Sequence, residues 1–318
     1  MSILVSTSFR TEYIPSPSPL RLTPRSPLLM LGSCFAGALA ARLREAMWDV
    51  EANPCGVLFN PASIAASVRG ALSGAAPDVH QRDARWLSWD FPGEFSRPTA
   101  EAAAVAMTAA RVRLRDALMR CGAMVVTLGT AIVYELQADG RIVTNCHKAP
   151  ASVFRRRMLG VGEIVAQWRD LLGELRALRP GLPVIITLSP VRHVREGFES
   201  NSLSKATLRV AMAELCVADP ELHYFPAFEI FNDDLRDYRF CAPDMAHPTP
   251  EAETYIVGKF LDTYVDTDAQ NILSEALALR RRLNHRPLYP DSPAAAAFAE
   301  RTRADLAGLL RRHPYLRP

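Results

Sequence analysis

Nowhere do the 318 residues hold an unbroken run of about 18 apolar side chains, the length a helix needs to cross a bilayer, so no membrane partner is expected. Charge of one sign is also lacking. The 37 Lys and Arg meet 34 Asp and Glu for a net charge of +3, and no region gathers the bases into a stripe, so nucleic acid is not an expected partner. The six cysteines (Cys34, Cys55, Cys121, Cys146, Cys216, Cys241) include no C-x-x-C pair. That usage fits reduced thiols in a cytoplasm, although an even count leaves a disulfide framework open. The start, "MSILVSTSFRTEYIPSPSPL", has no basic n-region, long apolar core or small-residue cleavage pattern, so no secretory leader is expected. No His, Cys and carboxylate cluster has metal-ligand spacing and no glycine-rich loop fits a phosphate, so neither metal nor cofactor is expected.

What is present is an ordinary globular composition, 49% hydrophobic and 22% charged, long enough for one large domain with appendages or two small ones. "IPSPSPLRLTPRSP" (14–27) holds five prolines in 14 positions and predicts an extended arm, because proline removes a donor and fixes φ. Then "LLML" (28–31) reads as a buried strand, and Phe35, Leu39, Leu43 and Met47 succeed it at the spacing that stacks side chains on one helix face. Further buried strands are predicted at "AMVVTLGT" (123–130), "PVIITLSP" (183–190) and "HYFPA" (223–227). Helices are predicted near 61–72, 99–120, 161–179, 202–217 and 250–264. Residues 73–98, with Trp86, Trp89 and Phe91 among polar and turn residues, read as a long structured loop or insertion, its aromatics either a sugar platform or loop anchors. "AIVYEL" and "RIVTNC" read as a β-hairpin.

Apolar strands alternating with amphipathic helices predict an α/β fold. We expect a three-layer α/β/α sandwich with a mostly parallel sheet, a β-hairpin insertion and a C-terminal helical extension. The expected division is an arm over 1–27, an α/β domain over 28–265 and the extension over 266–318. The two C-terminal helices could pack on the main domain or on a second copy as a homo-oligomer. Arg280 to Arg282 read as a solvated face.

In an open parallel sheet ligands sit beyond the carboxyl ends of the strands. Ser33 comes directly after the first strand at a strand-to-helix turn, where the first helical N–H groups and the helix dipole can face an oxyanion. His247 can act as its base, and Asp244, three residues earlier, can orient that imidazole. Each has a blander use: Ser33 as a helix N-cap, Asp244 as a capping residue beside an unrelated histidine. Cys34 is expected as a small buried thiol packed under the sheet, with a thiol nucleophile as the lesser alternative. His147 and His193 stand near strand ends as substrate contacts or a replacement base, and Lys148 and Arg192 as anchors for an anionic group.

"GSCFA" (32–36), "NPCGVLFNP" (53–61), "TLGTAIVYE" (127–135), "VTNCHKAP" (143–150), "SPVRH" (189–193), "SKATLR" (204–209) and "DYRFCAPDMAHP" (237–248) together resemble the GSCFA family, which is similar to the SGNH/GDSL hydrolases. The resemblance covers roughly residues 5–265. It implies a flavodoxin-like fold, with Ser33 as the serine of the first block and Asp244 with His247 as the D-x-x-H of the last. Gly56 resembles the second-block glycine, whose N–H would join that of Ser33 in an oxyanion hole. The third block departs from the SGNH pattern G-x-N-D, because Gly129 is followed by Thr130-Ala131. Either the Thr130 hydroxyl or Asn145 would then supply the missing donor, and losing one such donor costs about 10²–10³ in rate. The implied activity is that of a serine hydrolase or acyltransferase acting on an ester, with a small molecule or an O-acyl carbohydrate as substrate and no cofactor. The alternative is an SGNH-fold scaffold that binds a glycan or protein partner without efficient catalysis.

Overall fold

The computed structural model describes residues 10–16 and 18–318; the expectation of no leader rests largely on residues 1–9, outside that range. Strand β1 (Leu28–Gly32) runs straight into helix α1 (Cys34–Glu45), followed by β2 (Val50–Ala52) and α2 (Pro61–Ser73). A hairpin of β3 (His80–Arg82) and β4 (Arg85–Leu87) precedes α3 (Ala100–Arg120) and β5 (Ala123–Leu128). Next come β6 (Ile132–Leu136), β7 (Ile142–Val143), β8 (Phe154–Met158), α4 (Val161–Leu178), β9 (Val184–Leu188), α5 (Phe198–Ala218) and β10 (Leu222–Phe225). A short α6 (Ala227–Glu229) leads into a π-helical turn, Ile230–Asp234, before α7 (Pro250–Tyr264), α8 (Thr267–Leu283) and α9 (Pro293–Arg312).

The central sheet has the order β2-β1-β5-β9-β10, parallel throughout, so the α/β architecture expected from the sequence is present. Its strands are apolar on both sides because both sides are covered. Leu29, Leu31, Met124, Val126, Val184 and Ile186 join the core under α2, α3, α4 and α5. The alternating Leu28, Met30, Val125 and Ile185 join a second core under α1 and α7. The order reverses between β1 and β5, the switch point where a crevice opens beyond the strand ends.

Three local features go beyond the sequence reading. The stretch 73–98 is a structured insertion that contains the β3–β4 hairpin. Its Trp89 stacks on His80 (4.7 Å) and His147 (5.7 Å) and meets Phe154 edge-on (5.6 Å), so it anchors the insertion. The predicted hairpin is present as β6 and β7, and β8 adds a third strand on the other edge of β6. Strand β8, "FRRRM", has little apolar character. It is held instead by Arg155 and Arg157, which both donate to Glu135, a carboxylate on β6 only 4% exposed.

The arm lies along α7, with Ser18 and Leu22 N–H groups donating to Thr263 and Tyr264 carbonyls (3.2 and 2.7 Å). Helices α8 and α9 pack together around Ala276, Leu279 and Leu309, and this cluster includes Met47 from the end of α1. Arg317 N–H also reaches Met47 O (2.8 Å). Among the described residues no helix is long and apolar enough to cross a membrane.

Candidate active site

Gly32 ends β1 at φ +124°, and a Cβ there would strike the Thr127 carbonyl of β5, so only glycine lets the chain turn this tightly into α1. Its N–H donates to Asn53 Oδ1 (2.8 Å) and its carbonyl accepts from Leu58 N–H (3.0 Å). Farther along the same segment, Phe59 O accepts from both Gly129 and Thr130 N–H (2.7 and 3.0 Å), and Asn60 caps α2 through Ser63 N–H (2.8 Å). Residues 53–61 thus clip the ends of β1 and β5 together. Asn53, whose side chain starts this clip, has no role among the sequence expectations; the turn signal Asn53-Pro54 is the available cue.

Ser33 sits at the N-cap position of α1 but its hydroxyl makes no capping bond. The residue is 2% exposed, and its Oγ finds no hydrogen-bond partner among the described residues. A buried hydroxyl usually has a partner, because leaving one unmade costs about 1–3 kcal/mol. Ser33 thus holds the cap position without the side-chain bond by which a serine caps. Cys34 is also corrected: it is exposed rather than packed under the sheet. Partial cover of its sulfur pushes the thiol pKa up, which keeps it protonated.

Gly129 brings the neighbours of Ser33 into view. A Cβ added there would lie 3.5 Å from Ser33 Cβ and 3.2 Å from His193 Nε2, so the serine and this imidazole flank one point. His193 packs edge-on against Phe59 (5.8 Å), and its backbone N–H donates to Asn201 Oδ1 (3.0 Å). Burial, with the Lys205 and His247 charges nearby, drives its pKa down to about 4, so it is a neutral imidazole at neutral pH.

Lys205 is 3% exposed, donates to Ser189 O (2.7 Å) at the end of β9, and is held by burial at about 7. No motif in the sequence assigns it a role. The signals for it are its place in the "SKATLR" motif and on the apolar stripe of α5, beside Ser204 and Leu208.

Asp244 and His247 are brought together as expected. His247 Nδ1 lies 2.6 Å from Asp244 Oδ2, while Asp244 Oδ1 accepts from Ala246 and His247 N–H (2.9 and 3.0 Å). Those two backbone bonds, then the imidazole, hold the Asp244 carboxyl down at about 2. A carboxylate facing Nδ1 requires that nitrogen to carry the proton, which leaves Nε2 as the basic lone pair. Both side chains are about half exposed, at 44% for His247 and 52% for Asp244. The loop is tied to the site by Arg192 N–H donating to Ala246 O (3.1 Å). His247 does not contact the Ser33 hydroxyl in this structure.

The oxyanion donors expected from the sequence are mostly committed elsewhere. Ser33 N–H donates to Thr127 O (3.1 Å), and Gly56 N–H to Asn53 O (2.8 Å). Thr130 Oγ1 accepts from Ile132 N–H (3.0 Å) and shares a proton with Ser204 Oγ (3.0 Å), so its hydroxyl belongs to the join between β5 and α5. Asn145 Oδ1 accepts from His147 N–H (2.7 Å). His147 Nε2 donates to Ser88 O (2.8 Å) under Trp89, and Lys148 is exposed with its carbonyl taking a bond from Arg82 (3.1 Å). Asn145, His147 and Lys148 therefore belong to the insertion around Trp89. Left at Ser33 is the first turn of α1, where Cys34 and Phe35 N–H groups have no intrahelical acceptor.

The GSCFA family model matches residues 27–260, and that of the GSCFA domain protein, C-terminal domain, matches residues 277–317. No curated protein matches the chain. Among solved structures, a carbohydrate esterase family 3 protein from Talaromyces cellulolyticus aligns at TM-score 0.37 and 7% identity, covering 74% of this chain and 94% of its own. An acetyl xylan esterase from the rumen bacterium Butyrivibrio proteoclasticus aligns at TM-score 0.39 and 13% identity, covering 79% of this chain and 64% of its own.

Proposed function

We propose that this chain, which belongs to the GSCFA family, is a serine hydrolase or acyltransferase acting on an ester, with Ser33 as nucleophile. The observation that carries the reading is the buried, unpartnered Ser33 hydroxyl at the mouth of a helix, beside the His193 imidazole, with the carboxylate-oriented His247 on a loop that Arg192 N–H ties to the same end of the sheet. His247 Nε2 takes the Ser33 proton as Oγ attacks the acyl carbon, once the half-exposed loop closes the remaining gap. Asp244 stabilises the imidazolium that forms. The oxyanion is held by Cys34 and Phe35 N–H at the positive end of α1. The alcohol then leaves with the proton from His247, and water or a second hydroxyl takes the acyl group from Ser33. An O-acyl carbohydrate is the substrate class that the SGNH resemblance implies.

The position of His193 Nε2 beside Ser33 favours a second assignment of the base, with His193 in place of His247. A base titrating at about 4 would keep kcat/KM level down to that pH, whereas His247→Asn would then matter little.

Hydrolysis of p-nitrophenyl acetate tests the main reading. Turnover should vanish in Ser33→Ala and persist in Cys34→Ala. The reverse pattern would make the thiol the nucleophile, and no turnover by the folded parent would favour the scaffold that only binds.

A further inference from the structure

A cavity of about 350 Å³ lies between Arg192 and Cys241 and the segment from Phe231 to Tyr238. Its wall includes Arg192, which directly precedes His193, and Cys241, which bridges to Pro248 next to His247. The opposite wall comes from the π-helical turn and the residues just after it, with Asn232, Arg236, Asp237 and Tyr238. π-helical turns are frequent at functional sites.

Arg192 and Arg236 both line this cavity. Several arginines elsewhere pair with acids, as Arg157 meets Glu163 (2.6 Å) and Arg176 meets Asp219 (2.9 Å). Among the described residues, neither Arg192 nor Arg236 makes an ion pair or a side-chain hydrogen bond. Asp237, which also lines the cavity, is turned towards Arg239: its Oδ1 accepts Arg239 N–H (2.9 Å), and Oδ2 faces the Arg239 guanidinium (3.6 Å). Asp244 is likewise spent on its two N–H groups and His247. Two uncompensated guanidiniums lining one concave space attract an oxyanion, and the planar fork of each suits a carboxylate.

We infer that this cavity binds a carboxylate carried by the ester substrate, so that the enzyme prefers acylated acidic sugars or similar hydroxy acids to neutral ones. The inference rests on the ester-acting reading for the substrate, but the cavity's preference for an anion can be tested without turnover. The volume suits one small ring, and Tyr238, 73% exposed, offers an aromatic face beside the cations.

Titration calorimetry of the intact protein with sodium glucuronate, glucose and inorganic phosphate decides the matter. Glucuronate should bind at least about tenfold more tightly than glucose, and Arg192→Gln and Arg236→Gln should each weaken it by about tenfold, as loss of one charge-assisted pair predicts. Circular dichroism confirms that each variant is folded, and conservative Arg→Lys variants should restore part of the affinity. No glucuronate binding, equal binding of glucose, tighter binding of phosphate, or no loss in the double Gln variant would each overturn the inference. If Ser33→Ala hydrolyses p-nitrophenyl acetate as well as the parent, the esterase reading fails while the calorimetry still judges the cavity.

Discussion

The Ser33 turn and the Asp244–His247 loop both lie at the end of the sheet, yet they are held by opposite means. Ser33 is fixed by the sheet core: β1 and β5 pair up to Gly32 and Thr127, the 53–61 clip binds both strand ends, and the hydroxyl is left dry and unpaired. Asp244 and His247 are half exposed, and short-range hydrogen bonds within the loop set their geometry. The Ser33 hydroxyl is thus buried and set by the sheet, while the His247 imidazole is half exposed and oriented by its own loop. A buried polar group without a partner costs stability, and such a cost persists where function requires it.

Gly32→Ala breaks the dry side of this comparison most severely. The new Cβ collides with backbone at a φ that side chains rarely adopt, so we expect a loss of several kcal/mol and little folded protein on expression, read by thermal unfolding. Asp244→Asn breaks the wet side. It should leave the melting temperature nearly unchanged but lower kcat by about 10³–10⁴-fold, because the amide can favour the wrong His247 tautomer. A matched fall in stability would place Asp244 in the scaffold instead.

The pH dependence of stability sharpens the contrast. His193 is held at about 4 against an ordinary 6.5, so the unfolded chain binds more protons across that window and stability falls as pH drops through it. Lys205 at about 7 against an ordinary 10.5 acts in the same direction, and stability should rise from pH 7 to pH 9. In Lys205→Met this second rise should flatten, a difference of roughly a few degrees in melting temperature. For catalysis the smallest effect is expected for Thr130→Val. Losing its bonds to Ile132 and Ser204 should cost about 1–3 kcal/mol in unfolding experiments, without the 10²-fold fall in kcat that an oxyanion donor would show.

The central strands are legible in the sequence because burial on both faces makes them continuous apolar runs, and Ser33, Asp244 and His247 because short motifs mark them. Strand β8 is hidden because Arg155 and Arg157 hold it through one buried glutamate rather than through apolar alternation. The fate of the Gly56 N–H and the Thr130 hydroxyl is not legible either, since which acceptor takes a donor depends on turns closed by Asn53 and by Ser204, 74 residues beyond Thr130. Arg192 can be suspected as an anion anchor, but Arg236 cannot, because only the π-helical turn brings its segment to the same cavity.

The central claim is that Ser33 is an activated nucleophile. Fluorophosphonate treatment of the intact protein followed by peptide mass spectrometry tests it most directly. The account predicts one adduct on Ser33, formed more slowly in His247→Asn and absent in Ser33→Ala; a folded protein that takes no adduct, or takes it at Cys34, would contradict it.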